Sequence, residues 1–135
     1  MAGFSTAAPA LLAPECLWDV GAHLGEGALW HAATRSVWFV DIKGRRIHRC
    51  AADGSARRSW DAPGQPGFVV PAADGGLVCA LEDGLYRLDE ESGEFSLLRK
   101  VEDDQPGNRF NDGHVDAGGN LGFGSRDDGQ VRASG

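Results

Sequence analysis

An all-β fold is predicted by this sequence on three observations: short runs in which apolar and polar residues alternate, twenty glycines in 135 residues, and a unit that recurs about every 40 residues. Alternation with period two marks half-buried strands, and glycine at that density marks frequent turns. The clearest strand candidates are ALWHA (28–32), SVWFVDI (36–42), RRIHRC (45–50), GLVCALE (76–82), GLYRLDE (84–90) and FSLLRK (95–100). No window carries a helical stripe of useful length. APALLAP, near the start, is bracketed by prolines and reads as part of a loose leader over residues 1–15, ahead of one domain over 16–135.

The recurring unit appears when HAATRSVWFVDIKGRRIHRC is set over PAADGGLVCALEDGLYRLDE, with Val37 on Leu77. Each copy then reads as a small-residue turn, a strand, a tight Lys-Gly or Asp-Gly turn and a second strand. The offset is 40 residues (77 − 37), and a third copy puts Leu121 on the same position after a further 44 (121 − 77). Such spacing, with several short strands per unit, points to β-propeller blades, the rival being a β-sandwich with recurrent hairpins. Closed propellers have about four to eight blades, and this length holds about three, so the chain reads as the first part of a propeller. Three blades would leave unpaired sheet edges, through which copies could self-associate.

Charge excludes some partners. Thirteen basic against twenty acidic residues give a net charge of −7, which repels nucleic acid and anionic membrane surfaces. There is no basic, signal-like start and no apolar run long enough to cross a bilayer, so a cytoplasmic setting is expected. Cys16, Cys50 and Cys79 form no CxxC pair and read as reduced, partly buried thiols. The four histidines lack HxH or HExxH spacing; His31 and His48 are expected half-exposed in strands. The four tryptophans could stack on a sugar, but packing between sheets is the commoner use.

Two stretches carry the chemistry. NRFNDGHVD (108–116) gathers Arg109, Asn111, Asp112, His114 and Asp116 around Phe110. In a strand, Arg109 and Asn111 share one face while Phe110 packs on the other. A forked donor beside an amide suits hydroxyl and carbonyl oxygens. The alternative is an Asn-Asp-Gly turn with Arg109 paired to Asp112 or Asp116. The second stretch, GEG (25–27), sets one carboxylate between residues that allow close approach to the backbone. On its own it is also what a turn with a solvated charge looks like.

Taken together, LGEGALWHAATRSVWFVDIKGRRIHR, GGLVCALEDGLYRLD and NRFNDGHVDAGGNLGFGS resemble the N-terminal half of the gluconolactonase family, also called the regucalcin or senescence-marker-protein family. The resemblance covers about residues 16–128 and implies a six-bladed propeller that binds one divalent metal ion and hydrolyses sugar lactones. By position it makes Glu26 a metal ligand and places substrate contact on Arg109 and Asn111. The ion would be calcium, zinc, manganese, magnesium or iron(II), all of which accept oxygen ligands. The family's remaining ligands, an Asn and an Asp that is also the favoured general base, lie on later blades. The chain alone is therefore expected to be inactive, and the alternative is a calcium-binding or interaction fragment without catalysis. Ala28, His114 and Arg126 stand where the family usually has Pro, Lys and Met.

Overall fold

The computed structural model describes residues 12–102 and 104–130. Among them every regular element is a β-strand: β1 (Gly25–His31), β2 (Ser36–Asp41), β3 (Arg46–Ala51), β4 (Arg58–Asp61), β5 (Phe68–Pro71), β6 (Leu77–Leu81), β7 (Gly84–Leu88), β8 (Phe95–Lys100), β9 (Asn108–Val115) and β10 (Leu121–Asp127). Most of the expected leader lies outside the described residues, and positions 12–15 carry neither strand nor helix. Among the described residues, no helix is long and apolar enough to cross a membrane.

The strands form three antiparallel sheets in chain order: β1-β2-β3-β4, β5-β6-β7-β8 and the pair β9-β10. The repeat read from the sequence is therefore real, with β2-β3 and β6-β7 as its two aligned hairpins. Each of the first two copies holds four strands, two more than the alignment distinguished. The first strands stand side by side, β1 against β5 and β5 against β9.

Period-two alternation in the middle sheet sends its side chains into two cores. Val69, Leu77, Cys79 and Leu81 face the first sheet and meet Trp38, Val40, Ile42, Ile47 and Trp60. Phe68, Val70 and Ala80 face the other way and meet Phe110. Trp38 and Trp60 stack with ring centroids 5.3 Å apart, and both are buried, so these two tryptophans pack as expected. Full burial of each large apolar side chain contributes about 1.5–3 kcal/mol, so the two cores tie the three sheets to one another.

His48 departs from the half-exposed position expected for it. It is buried, hydrogen-bonded through Nδ1 to Ser59 Oγ at 2.7 Å, and packed against Phe39 and Trp18. Burial holds its pKa below the ordinary histidine value. Cys16 is exposed, whereas Cys50 and Cys79 are buried, all three as free thiols.

Candidate functional site

Glu26 belongs to β1, which starts three residues ahead of the ALWHA run, so GEG is strand and not turn. The approach to that strand is fixed by Asp41 at the end of β2. Its carboxylate accepts the backbone N–H groups of His23, Leu24 and Gly44 at 2.9–3.0 Å. Burial alone would raise the Asp41 pKa; these three amides outweigh it and hold the carboxyl below its usual range. Gly44 is required here, because a Cβ would come within 2.1 Å of Asp41 Oδ2. The Glu26 carboxylate itself is exposed and has no hydrogen-bond or ion-pair partner among the described residues.

The first strands approach closely at their starts. A Cβ on Gly27 would lie 3.7 Å from the Gly67 carbonyl oxygen, and one on Gly67 would lie 2.6 Å from Phe110 Cβ. The backbone at 26–27, 67–68 and 110–111 is thus brought into one neighbourhood. Glu26 and Asn111 also share a local geometry. The β1-β2 register shifts between Glu26 and Leu29, and the β9-β10 register shifts where Phe110 pairs with Ser125 but Asp112 pairs with Gly124. Such bulges re-aim side chains and are frequent beside active sites. A further bulge lies on β7-β8, away from these residues.

Arg109 is only 4% exposed, and its guanidinium is held in place. Nε donates to Asp128 Oδ1 at 2.8 Å, while Nη1 donates to the Phe110 carbonyl at 3.2 Å and to Asn111 Oδ1 at 3.3 Å. Asp128 in turn accepts from Lys43 Nζ at 2.5 Å and from Gln65 Nε2 at 3.1 Å. The Lys43 ammonium, with Gln65 and Arg109 beside it, lowers the Asp128 pKa to about 2 despite the cost of partial burial. The partner of Arg109 is therefore Asp128, not Asp112 or Asp116, and the segment is a strand and not a turn.

One residue downstream of Glu26 and of Asn111 the same strands open into a groove of about 550 Å³. Gly27 to Leu29, Phe68 to Pro71 and Asp112 to Val115 line it, so Ala28 and His114 both face this space. Trp30 lies elsewhere and is 49% exposed.

The structure thus joins Arg109 to Asn111 and sets their strand two places from that of Glu26. Among the described residues, no three His, Cys, Asp or Glu side chains gather as a metal-binding group. Sequence reasoning passed over Asp128, Lys43 and Gln65. Nothing in their spacing links positions 43, 65 and 128.

The chain is similar in sequence and fold to known proteins. Residues 24–135 match the family described as SMP-30/Gluconolactonase/LRE-like region. An L-arabinolactonase of Azospirillum brasilense is 38% identical over 114 residues, covering 84% of this chain and 38% of that protein. A regucalcin of Xenopus laevis is 33% identical over 111 residues, covering 79% of this chain and 36% of that one. Among solved structures, a regucalcin from Agrobacterium tumefaciens, described as a calcium-binding protein, superposes with a TM-score of 0.75 at 28% identity, over 81% of this chain and 37% of the other. A gluconolactonase from Xanthomonas campestris gives 0.68 at 26% identity, over 87% and 39%. The chain spans little more than a third of the length of these relatives. It belongs to the SMP-30/gluconolactonase/LRE-like family.

Proposed function

We propose that this chain contributes one wall of the catalytic mouth of a sugar-lactone hydrolase, its three sheets being consecutive blades of a six-bladed propeller. One observation carries the reading: an exposed, unpaired Glu26 carboxylate and a preformed Arg109–Asn111 pair stand at the adjoining starts of first strands, two of them re-aimed by bulges. The likeness to an L-arabinolactonase and to a gluconolactonase supplies the substrate class.

A lactone is an internal ester, so opening it requires a polarised carbonyl, an activated water and a fixed ring. When bound, a divalent cation supplies the first and assists the second by lowering the pKa of its water. Glu26 would be one of that ion's ligands. One carboxylate falls short of the six to eight oxygens that calcium takes, so these residues contribute to a metal site without completing it. For that reason the 135-residue chain by itself is expected not to turn over lactones.

The other two residues hold the ring. The Asn111 Oδ1 already accepts from Arg109, which leaves its amide N–H groups free for a lactone oxygen. On Arg109, Nη2 has no partner among the described residues and offers a second donor. Donors fixed before the ligand arrives lose little freedom on binding, which favours a small, oxygen-rich aldonolactone such as glucono-, xylono- or arabinonolactone. Ala28 and His114, facing the adjoining groove, would shape the choice among them.

The test is a full-length hybrid in which these residues replace the matching segment of the Azospirillum L-arabinolactonase. Hydrolysis of an aldonolactone well above the buffer rate, weakened in Glu26→Gln unless the divalent ion is raised, is expected. A folded hybrid that neither hydrolyses a lactone nor responds to a divalent ion would refute the reading. A second reading, calcium binding without catalysis, is favoured by the likeness to the Agrobacterium regucalcin. Calcium uptake by the hybrid without lactone turnover would support it.

A further inference from the structure

We propose that Asp128 is a positioning residue for the lactone-binding pair, fixing the Arg109 guanidinium through Nε so that Nη1 locks Asn111 and Nη2 points its donors outward. The inference rests on Arg109 and Asn111 being the residues that hold the lactone. It is carried by geometry that no spacing in the sequence announces.

Both oxygens of the Asp128 carboxylate are engaged. Oδ1 accepts from Arg109 Nε and from Lys43, and Oδ2 accepts from Gln65. The backbone beneath is fixed as well, since Asp128 N–H donates to the Gly107 carbonyl at 2.8 Å. Lys43 comes from the β2-β3 turn, Gln65 from the link between β4 and β5, and Arg109 from β9, so one carboxylate ties a turn of the first sheet, the link to the second and a strand of the third. Arg109 has 5% of its side chain exposed, against 26% for Asp128 and 45% for Lys43. A cation buried to that extent needs a fixed counter-charge, and among the described residues its Nε edge receives one from Asp128. The opposite edge faces Asn111. Rotation of the guanidinium would break the Nε bond and the Asn111 bond together, so the carboxylate sets the direction in which the remaining donors point.

A purely structural tie would affect folding stability and leave ligand affinity alone. The experiment therefore reads the Arg109 Nε–H signal of the 135-residue chain by NMR, and in parallel the KM and kcat of the hybrid. In Asp128→Asn the Nε–H signal is expected to shift and to exchange with solvent at least tenfold faster, as the acceptor loses its charge and the bond to the guanidinium weakens. Lactone KM should rise about tenfold with a smaller change in kcat, and Asp128→Glu should recover part of both. Gln65→Ala, which removes one bond to Asp128 without touching Arg109, should move the Nε–H signal in the same direction by less. It decides the matter should Asp128→Asn fail to fold. An unchanged Nε–H signal, or an unchanged KM beside a lowered melting temperature, overturns the proposal. A hybrid without turnover refutes the lactonase reading alone, because the Nε–H signal still reports whether Asp128 holds Arg109.

Discussion

Gly67 meets Phe110 so closely that a single added Cβ would lie 2.6 Å from both the Cβ and the carbonyl oxygen of Phe110. Backbone against backbone at that distance sets the separation of β5 from β9, and with it the position of Arg109 and Asn111 on either side of Phe110. Gly113 does the same from the other strand, since a Cβ there would reach within 2.5 Å of the Phe68 ring. Gly67→Ala is therefore expected to destabilise by about 1–3 kcal/mol, the usual cost of overpacking, measured by denaturant unfolding. A stability equal to wild type would mean that β5 and β9 are free to separate.

Phe110 anchors the candidate site from behind. It is 1% exposed and meets Phe68 and Phe123 edge-on, with centroids 6.3 Å and 5.3 Å away. Truncation in Phe110→Ala leaves a cavity and should cost about 3–5 kcal/mol. Phe123, 40% exposed on β10, is the control and should cost far less. Equal losses at the two positions would contradict the packing described.

Acid should loosen the Asp128 cluster in a defined window. The folded-state pKa of about 2 lies below the ordinary aspartate value of about 3.9. A carboxyl depressed on folding stabilises the folded state above its unfolded pKa and loses that contribution as pH falls through the folded one. Asp41, also depressed, acts with the same sign. Denaturation midpoints should thus fall from about pH 4 toward pH 2, and Asp128→Asn should flatten part of that slope. A variant that follows the wild-type curve throughout would show Asp128 to be unpaired.

Thiol chemistry offers an independent check on the cores. Cys16 is exposed, Cys50 is buried in the first sheet, and burial raises the Cys79 pKa to about 12. Because the thiolate is the reactive form, one thiol should be modified quickly in the native chain, with Cys50 and Cys79 reacting only on unfolding. Mass spectrometry after brief alkylation reads this directly. Rapid labelling at Cys79 would contradict the contact between the first two sheets.

Much of this architecture was legible in the chain itself. The 40-residue offset placed β2-β3 over β6-β7 correctly, because alternation and Lys-Gly or Asp-Gly turns are local signals. β4 and β5 were not legible. RSWD carries a single buried apolar residue, and FVVP is apolar on both faces because it separates two cores, so neither alternates. The starts of β1 and β9 were recognised by their residues, yet their bulges depend on a partner strand that periodicity does not reveal. The Arg109 counter-charge is hidden from the sequence for the same reason. Asp112 and Asp116 are near in sequence, whereas Asp128 is brought in by the β9-β10 pairing of Asn108 with Asp127.

The metal requirement of the hybrid lactonase bears most directly on whether Glu26 and the Arg109–Asn111 pair serve one site. With activity followed against added divalent ion, Glu26→Gln should raise the half-saturating metal concentration by tenfold or more, while Asn111→Ala should raise lactone KM at saturating metal and leave the metal requirement unchanged. A Glu26→Gln hybrid with the wild-type metal requirement and undiminished turnover would contradict it.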